Sequence, residues 1–428
     1  MTSRDRLSAA SERTSPPPIS TLMQMALDTP GLISLAAGFV DQKSLPVEAV
    51  ARGVAAILSD PDEGRRALQY GTTIGDLDFR TRLVEQLERD EGADPGAFRH
   101  VLPRTVVTTG SQQLLSLVAE ALLDPGDIVL VESPTYFVYL GVLETRGAHV
   151  IGIRTDGDGL RLDVLEHTLV DLEARGLLGR VKLIYTVSEH ANPTGICLAE
   201  SRRGPLVEVA RRWSKRRRIY ILEDAAYRGL TFDRADPPSV WRHDPEGDTV
   251  ILARTFSKTF SPGLKMGYGI LPGPLLDAVL RLKGNQDFGS SHFTQQLLER
   301  LIADGSYERH VERLVGVYRH KCHVMVEALD AHLGPFEDVV SWTRPKGGLY
   351  VWLTVPEGLD TGPDGPLFSR SINAGVLYVP GAYCFAAEPG PLPRNHARLC
   401  FGVPGDVELE DGARRLAAAL AECLDLVA

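Results

Sequence analysis

The stretch Val250-Ile-Leu-Ala-Arg-Thr-Phe-Ser-Lys-Thr-Phe-Ser-Pro-Gly-Leu-Lys-Met-Gly-Tyr-Gly-Ile-Leu271 places two apolar runs, Val250–Arg254 and Met266–Leu271, on either side of a polar loop. Both runs are short and almost unbroken in hydrophobicity, the pattern of strands buried on both faces of a sheet. The loop carries hydroxyls at Thr255 and Ser257, a lysine at 258, a Pro-Gly turn at 262–263 and a second cation at Lys265. A nearby like charge disfavours the ammonium form of a lysine, and a neutral lysine can form a Schiff base. Two hydroxyls and a second cation beside it could hold a phosphate. In a chain with 46 basic residues, of which few are lysines, this company is unlike an ordinary surface loop.

Further runs of the same texture lie at Thr105–Thr109, Asp127–Glu132, His149–Ile153, Lys182–Val187 and Arg218–Glu223. They alternate with helical patterns, such as Gln112–Leu123 and Leu206–Trp213, which predicts an α/β fold with a mostly parallel central sheet. From Thr294 to His332 the pattern is helical with a break near Gly305-Ser306, as expected of a connector between domains. Beyond it, Val339–Trp342, Leu349–Thr354, Val376–Val379 and a final helix Val407–Asp425 predict a smaller α+β unit. The expected division is an arm and substrate-closing segment at 1–45, a large domain at 46–300 and a small domain at 301–428. The Gly-, Pro- and Asp-rich loop Pro356–Pro366 is expected to be exposed.

The chain has 428 residues, 43% hydrophobic and 24% charged, with a net charge of −10. That balance argues against a nucleic-acid binder, which usually shows a basic excess. No apolar run approaches the roughly 20 residues of a spanning helix. The first residues carry Arg4, Arg6 and Arg13 with three prolines and no apolar core, so no signal peptide is expected. Five cysteines without a C-x-x-C pair fit a reducing cytoplasm rather than a disulfide framework or a metal site.

Three more segments carry chemistry. Thr108-Thr-Gly-Ser-Gln-Gln113 lies between a strand and a helix, where free N–H groups form an anion site. An N-cap at Ser111 explains it equally well. Asp224, in Ile219-Tyr-Ile-Leu-Glu-Asp224-Ala-Ala-Tyr227, ends an apolar strand, where open α/β sheets bind ligands. It could pair with a cationic ring nitrogen or cap a helix. Asn192, in His190-Ala-Asn-Pro-Thr-Gly195, lies in a turn-forming context that alone says little.

Together these segments resemble the fold-type I pyridoxal-phosphate enzymes, class I/II aminotransferases, in the branch of 2-aminoadipate and kynurenine aminotransferases. The similarity runs from Ile33-Ser-Leu-Ala-Ala-Gly38 through Gln69-Tyr-Gly71, Asp124-Pro-Gly-Asp127, Glu132-Ser-Pro-Thr-Tyr136, Asn192-Pro-Thr-Gly195, Pro345-Lys-Gly-Gly348 and Val379-Pro-Gly381 to Arg398-Leu-Cys-Phe401. The resemblance implies a large domain with a mostly parallel sheet, a smaller C-terminal domain and pyridoxal 5′-phosphate as cofactor. It makes Lys258 the Schiff-base lysine and proton shuttle, and Asp224 the partner of the pyridine nitrogen. Asn192 and Tyr227 would bond the ring's phenolic oxygen, and Tyr136 would stack on the ring. Ser111, Gln112, Thr255, Ser257 and Lys265 would hold the phosphate. Tyr70 would reach the phosphate of the other subunit of a homodimer. Arg398 would grip the substrate carboxylate, with Asn192 beside it and Gly38 in the closing segment. The substrates implied are an L-α-amino acid and a 2-oxo acid, with no nucleic acid or membrane as partner.

Three places depart from the family pattern. Lys265 stands where arginine is usual, Glu189 and His190 precede Asn192, and Phe39-Val-Asp-Gln42 replaces a more usual Leu-Pro-Asp-Pro texture. A histidine beside the cofactor could act as a second acid/base; a hydrogen-bonded loop histidine is the simpler reading. These departures keep open β- or γ-elimination, replacement or C–C bond formation in specialised metabolism. A ligand-sensing regulator domain is not expected, because about 30 residues precede the matched region, too few for a DNA-binding fold.

Overall fold

The apolar runs assemble one eight-stranded sheet in the computed structural model, which describes residues 7–386 and 390–424. Arg4, Arg6 and Asp425, named above, lie outside the described residues. The strands are β1 (Thr105–Thr108), β2 (Ile128–Ser133), β3 (His149–Asp156), β4 (Gly159–Leu160), β5 (Val181–Thr186), β6 (Tyr220–Asp224), β7 (Val250–Thr255) and β8 (Gly267–Ile270). Their spatial order is β1-β8-β7-β6-β5-β2-β3-β4. Strands β7, β6, β5, β2 and β3 run parallel. β8 is antiparallel to both neighbours, and β4 is an antiparallel edge hairpin. Helices cover both faces, which is why the strands read as continuous apolar runs. Helix α1 (Ser111–Leu122) turns Leu114, Leu115, Leu117 and Val118 inward, each at most 1% exposed. Burying each such side chain is worth about 1.5–3 kcal/mol.

A second sheet of four antiparallel strands joins β9 (Ser341–Trp342), β10 (Tyr350–Thr354), β11 (Val379–Pro380) and β12 (His396–Cys400) in the order β9-β10-β12-β11. In its register Trp352 faces Arg398 and Tyr350 faces Cys400, so all four share one side of the sheet. The long helices α3 (Ser306–Leu333) and α4 (Asp406–Leu424) pack against each other and share one hydrophobic core with its strands.

Three local expectations need correction. The run Val376–Val379 is two strands: Val376–Leu377 pairs with Ile33–Ser34, while Val379–Pro380 joins the four-stranded sheet. An unbroken apolar run carries no mark of a change of partner. The helix expected at Leu206–Trp213 begins at Glu200, since its first residues are polar, include Gly204 and Pro205, and show no apolar period. The loop Pro356–Pro366 is only partly exposed, with Leu359 and Thr361 at 1% and 0%. Thr361 Oγ1 donates to the Arg394 carbonyl at 2.9 Å, which ties the loop down.

Candidate active site

The chemistry-bearing residues follow the C-terminal ends of the parallel strands. Tyr136 comes after β2, Asn192 after β5, Asp224 ends β6, and Lys258 follows β7. Ligands of open α/β sheets bind at this edge. Helix α1 starts beside it, directly after β1.

Lys258 Nζ donates to the Gly38 carbonyl at 2.7 Å. Burial pulls its pKa down to about 8; the charges of Arg398 and Lys265 push the same way, against Cys400 and Asp224. Asp224 is 3% exposed, and burial raises its carboxyl to about 6. Tyr185 donates its hydroxyl to Asp224 Oδ2 at 2.9 Å. Asp224 Oδ1 is buried with no hydrogen-bond partner among the described residues. Such an orphan acceptor is costly and calls for a donor; a protonated pyridine nitrogen supplies one. The residues after Asp224 form successive turns rather than a helix, so the helix-cap alternative for Asp224 is set aside.

Arg398 is 2% exposed. Its Nη1 donates to Asn192 Oδ1 at 2.9 Å and its Nη2 to the Ala36 carbonyl at 2.6 Å. The guanidinium lies 4.6 Å from the Tyr350 ring centroid and 5.5 Å from that of Phe137, contacts that fix its plane. The Tyr227 hydroxyl is 3.0 Å from that of Tyr350, and the two rings meet edge to face. Burial pushes the Tyr350 hydroxyl up to about 12, so both stay protonated donors near neutral pH. A Cβ at Gly38 would stand 2.7 Å from the Tyr350 hydroxyl, so only glycine fits there. Tyr136 is partly buried at the start of helix α2 (Phe137–Arg146), and burial followed by the Asp224 charge raises its hydroxyl.

On the other side, Ser111 and Gln112 open α1. The N-cap is Gly110 at φ 75°, with no side-chain cap, which corrects the reading of Ser111 as the cap. A Cβ at Gly267 would lie 2.8 Å from the Ser111 nitrogen, so β8 is pressed against this helix start. Thr255 Oγ1 donates to Ser257 Oγ at 3.0 Å. Lys265 is exposed at φ 50°, just after the Pro262–Leu264 turn. Hydroxyls, a helix start and a cation thus flank Lys258, the donor set that a phosphate takes. Tyr70 stands apart, 82% exposed, with its ring edge-on to Phe288 at 5.6 Å.

Glu189 and His190 engage other partners. Glu189 Oε1 accepts from Arg203 at 2.8 Å and from Arg228 at 2.9 Å, all three buried. His190 Nε2 lies 2.7 Å from Thr231 Oγ1, and its Nδ1 lies 3.3 Å from Cys197 Sγ. Burial lowers its pKa.

Sequence reading missed two side chains at this site, Tyr350 and Tyr185. Alternation along Leu349–Thr354 puts Tyr350 and Trp352 on one face, but only the register with β12 shows that this face carries Arg398. Tyr185 sits inside an apolar run, where an aromatic reads as core.

A family model described as "Aminotransferase class I and II" matches residues 30–416. The "2-aminoadipate transaminase" of Thermus thermophilus is 33% identical over 400 residues, covering 93% of this chain and 92% of that protein. The "Aromatic-amino-acid aminotransferase 1" of Thermococcus litoralis is 30% identical over 400 residues, covering 92% of this chain and 89% of the relative. The solved Pyrococcus horikoshii kynurenine aminotransferase, in complex with PMP, superposes with a TM-score of 0.89 at 29% identity. That superposition covers 99% of this chain and 98% of the other.

Proposed function

The chain belongs to the class I and II aminotransferases, and from that premise we propose which residues carry the reaction. It is a fold-type I, pyridoxal-phosphate-dependent aminotransferase of amino acids and 2-oxo acids. When bound, the cofactor supplies an aldehyde for covalent capture of amines and a ring that accepts the electron pair left at the substrate carbon.

Lys258 is the residue we assign to covalent attachment and to moving the proton at the substrate Cα. Its pKa near 8 leaves a usable fraction of neutral amine at physiological pH. Asp224 would keep the pyridine nitrogen protonated, and Tyr185 holds that carboxylate in place. Asn192 and Tyr227 would bond the ring's phenolic oxygen, and Tyr136 would stand against the ring. Ser111, Gln112, Thr255, Ser257 and Lys265 hold the phosphate. Arg398 would bind the substrate carboxylate as a planar fork, with Asn192 and Gly38 beside it. The observation that carries this reading is the orphan Asp224 Oδ1, an acceptor buried at the strand edge that faces the lysine.

The unit of function we propose is a homodimer in which Tyr70 completes the partner's phosphate site. The exposed pair Tyr70 and Phe288, 82% and 57% accessible, supports it. We also propose the division at 1–45, 46–300 and 301–428, each of the last two built around its own sheet. A cytoplasmic setting fits five cysteines held as free thiols. No helix among the described residues is long and apolar enough to cross a membrane.

The departure at Glu189 and His190 places neither side chain in a hydrogen bond with Lys258. Glu189 is neutralised by two arginines and His190 is tied to Thr231. The test is a half-reaction without amino acceptor. Conversion of the cofactor to its amine form with one equivalent of 2-oxo acid supports the reading. Released ammonia with an unchanged cofactor sinks it. Lys258→Ala should abolish covalent attachment, and a normal attached-cofactor spectrum in that variant would overturn the lysine assignment. Sedimentation of the holoenzyme as a monomer would remove the Tyr70 role.

A further inference from the structure

Residues 35–44 link the strand that bears Arg398 to the long helix α3. The Leu35 carbonyl accepts from the Cys400 N–H at 2.7 Å. Next, the Ala36 carbonyl accepts from Arg398 Nη2 at 2.6 Å and the Gly38 carbonyl from Lys258 Nζ at 2.7 Å. Beyond Gly38 the segment is seated by a side-chain cluster with no part in the chemistry above. Asp41 Oδ1 lies 2.7 Å from Lys321 Nζ, and both side chains are 8% exposed. Lys321 also donates to the carbonyls of Gly402 at 3.0 Å and Val403 at 3.2 Å, so all three ammonium hydrogens have acceptors. Ser44 Oγ donates to Asp41 Oδ2 at 2.6 Å, and the Asp41 N–H donates to the Tyr318 hydroxyl at 3.2 Å. Arg313 Nη2 donates to the Ser44 carbonyl at 2.9 Å. A Cβ at Gly402 would stand 2.4 Å from the Phe39 carbonyl, so the segment lies flat against the chain leaving β12.

We propose that the Asp41–Lys321 pair is a positioning latch for amino acid binding: it fixes residues 35–44 so that the Ala36 and Gly38 carbonyls are set against Arg398 and Lys258. A buried pair is stable only with complete geometry, and losing one partner strands the other charge. The segment therefore has one well-defined seat rather than several. Neither residue touches Arg398 or Lys258, so both act through the segment. The proposal rests on the carboxylate and lysine roles assigned above. On those roles, a bound amino acid would lie against this segment. Loosening the segment removes binding shared by ground state and transition state, which raises KM and spares kcat.

The test uses the holoenzyme with Asp41→Asn, Lys321→Met, the double variant and Lys321→Arg. Two quantities are read: half-reaction KM and kcat for an amino acid, and amide hydrogen exchange of residues 33–46. Each single change should raise KM about tenfold with kcat within about threefold, and speed exchange in that peptide alone. The double variant should be no worse than the weaker single, as coupled partners behave. Lys321→Arg should restore both readouts. Gly402→Ala leaves the ion pair in place and pushes on Phe39; it should give the same two changes, so it carries the test if the charge variants fail to fold. Faster exchange without a rise in KM overturns the proposal, as does unchanged exchange or a fall in kcat that matches the loss in kcat/KM. Arg398→Ala separates the two levels of inference. If it leaves KM unaltered, the carboxylate role falls, whatever the exchange data say about the latch.

Discussion

Tyr185 donates its hydroxyl to Asp224 Oδ2 at 2.9 Å and leaves Oδ1 of the same carboxylate buried and unpaired. Two adjacent strands, β5 and β6, bring them together, and their pairing aligns Tyr185 with Leu222. The carboxylate is thus steadied on one side and open to a donor on the other.

That arrangement has a pH signature in the cofactor-free protein. Burial raises Asp224 from an ordinary 3.8 to about 6. Between those values the folded chain keeps a proton that the unfolded chain has lost. The stabilisation is therefore full below about 4 and is lost as pH rises through about 6. A shift of this size corresponds to at most about 3 kcal/mol. Glu132 and Glu223, both raised to about 7 by burial, add slopes of the same sign. Asp224→Asn should flatten only the lower part of the profile. Urea unfolding of the cofactor-free protein from pH 5 to 8 checks it. An unchanged slope between pH 5 and 6.5 in the variant would mean that Asp224 is not raised.

The contact between Tyr227 and Tyr350 predicts a smaller effect. Tyr350→Phe keeps the ring under the Arg398 guanidinium but removes the hydroxyl 3.0 Å from Tyr227. One hydrogen bond of this kind is worth about 1–1.5 kcal/mol, roughly a tenfold fall in kcat/KM if Tyr227 is left misdirected. Tyr350→Leu should do more, because the cation–π contact goes too. Equal activity in both variants would place Tyr350 outside the reaction.

The strands, α1 and the break at Gly305 were legible because an apolar run or period says which surface is buried, and burial dictates the element. Lys258 and Asp224 were legible for a different reason: a charged group at or just past the end of an apolar strand stands where open α/β sheets bind ligands, whereas Asn192 and Arg398 came only with the family resemblance. Tyr350 and Tyr185 were not legible, since an aromatic inside a strand has the same pattern whether it packs or donates. Only register reveals the difference, and register is a long-range property. Glu189 departs from the family pattern just before Asn192, and its pairing with Arg203 and Arg228 shows only in three dimensions. Those two arginines lie 14 and 39 residues away along the chain, beyond any local motif.

Arg398 is held in a plane by Tyr350, Phe137, Asn192 and the Ala36 carbonyl. Arg398→Ala removes the buried charge proposed to meet the substrate carboxylate. Truncating one partner of such a pair costs about 2–5 kcal/mol, or roughly 30- to 4,000-fold in kcat/KM. Arg398→Lys keeps the charge and loses the fork, so it should recover only part of the loss. Cofactor affinity should change little in either. Steady-state kinetics with equilibrium dialysis of the cofactor separates the two effects, and a loss of cofactor binding equal to the loss of activity would refute a carboxylate role.

Lys265 gives the sharpest question about the cofactor cradle. It sits at φ 50°, exposed, and its charge helps to lower the pKa of Lys258. Lysine presents a mobile point charge where an arginine would present a rigid fork. Lys265→Ala removes both the proposed phosphate contact and the repulsion of Lys258. Cofactor affinity should then fall by roughly tenfold, the scale of one charge-assisted hydrogen bond, and the free lysine's pKa should rise above about 8. Lys265→Arg preserves the repulsion and would tighten the proposed phosphate contact, so affinity should match or exceed that of the native chain. Cofactor titration, together with the pH dependence of cofactor capture by Lys258, reads both quantities. If Lys265→Ala retains native affinity and an unshifted capture profile, Lys265 is a surface lysine and the phosphate rests on Ser111, Gln112, Thr255 and Ser257 alone.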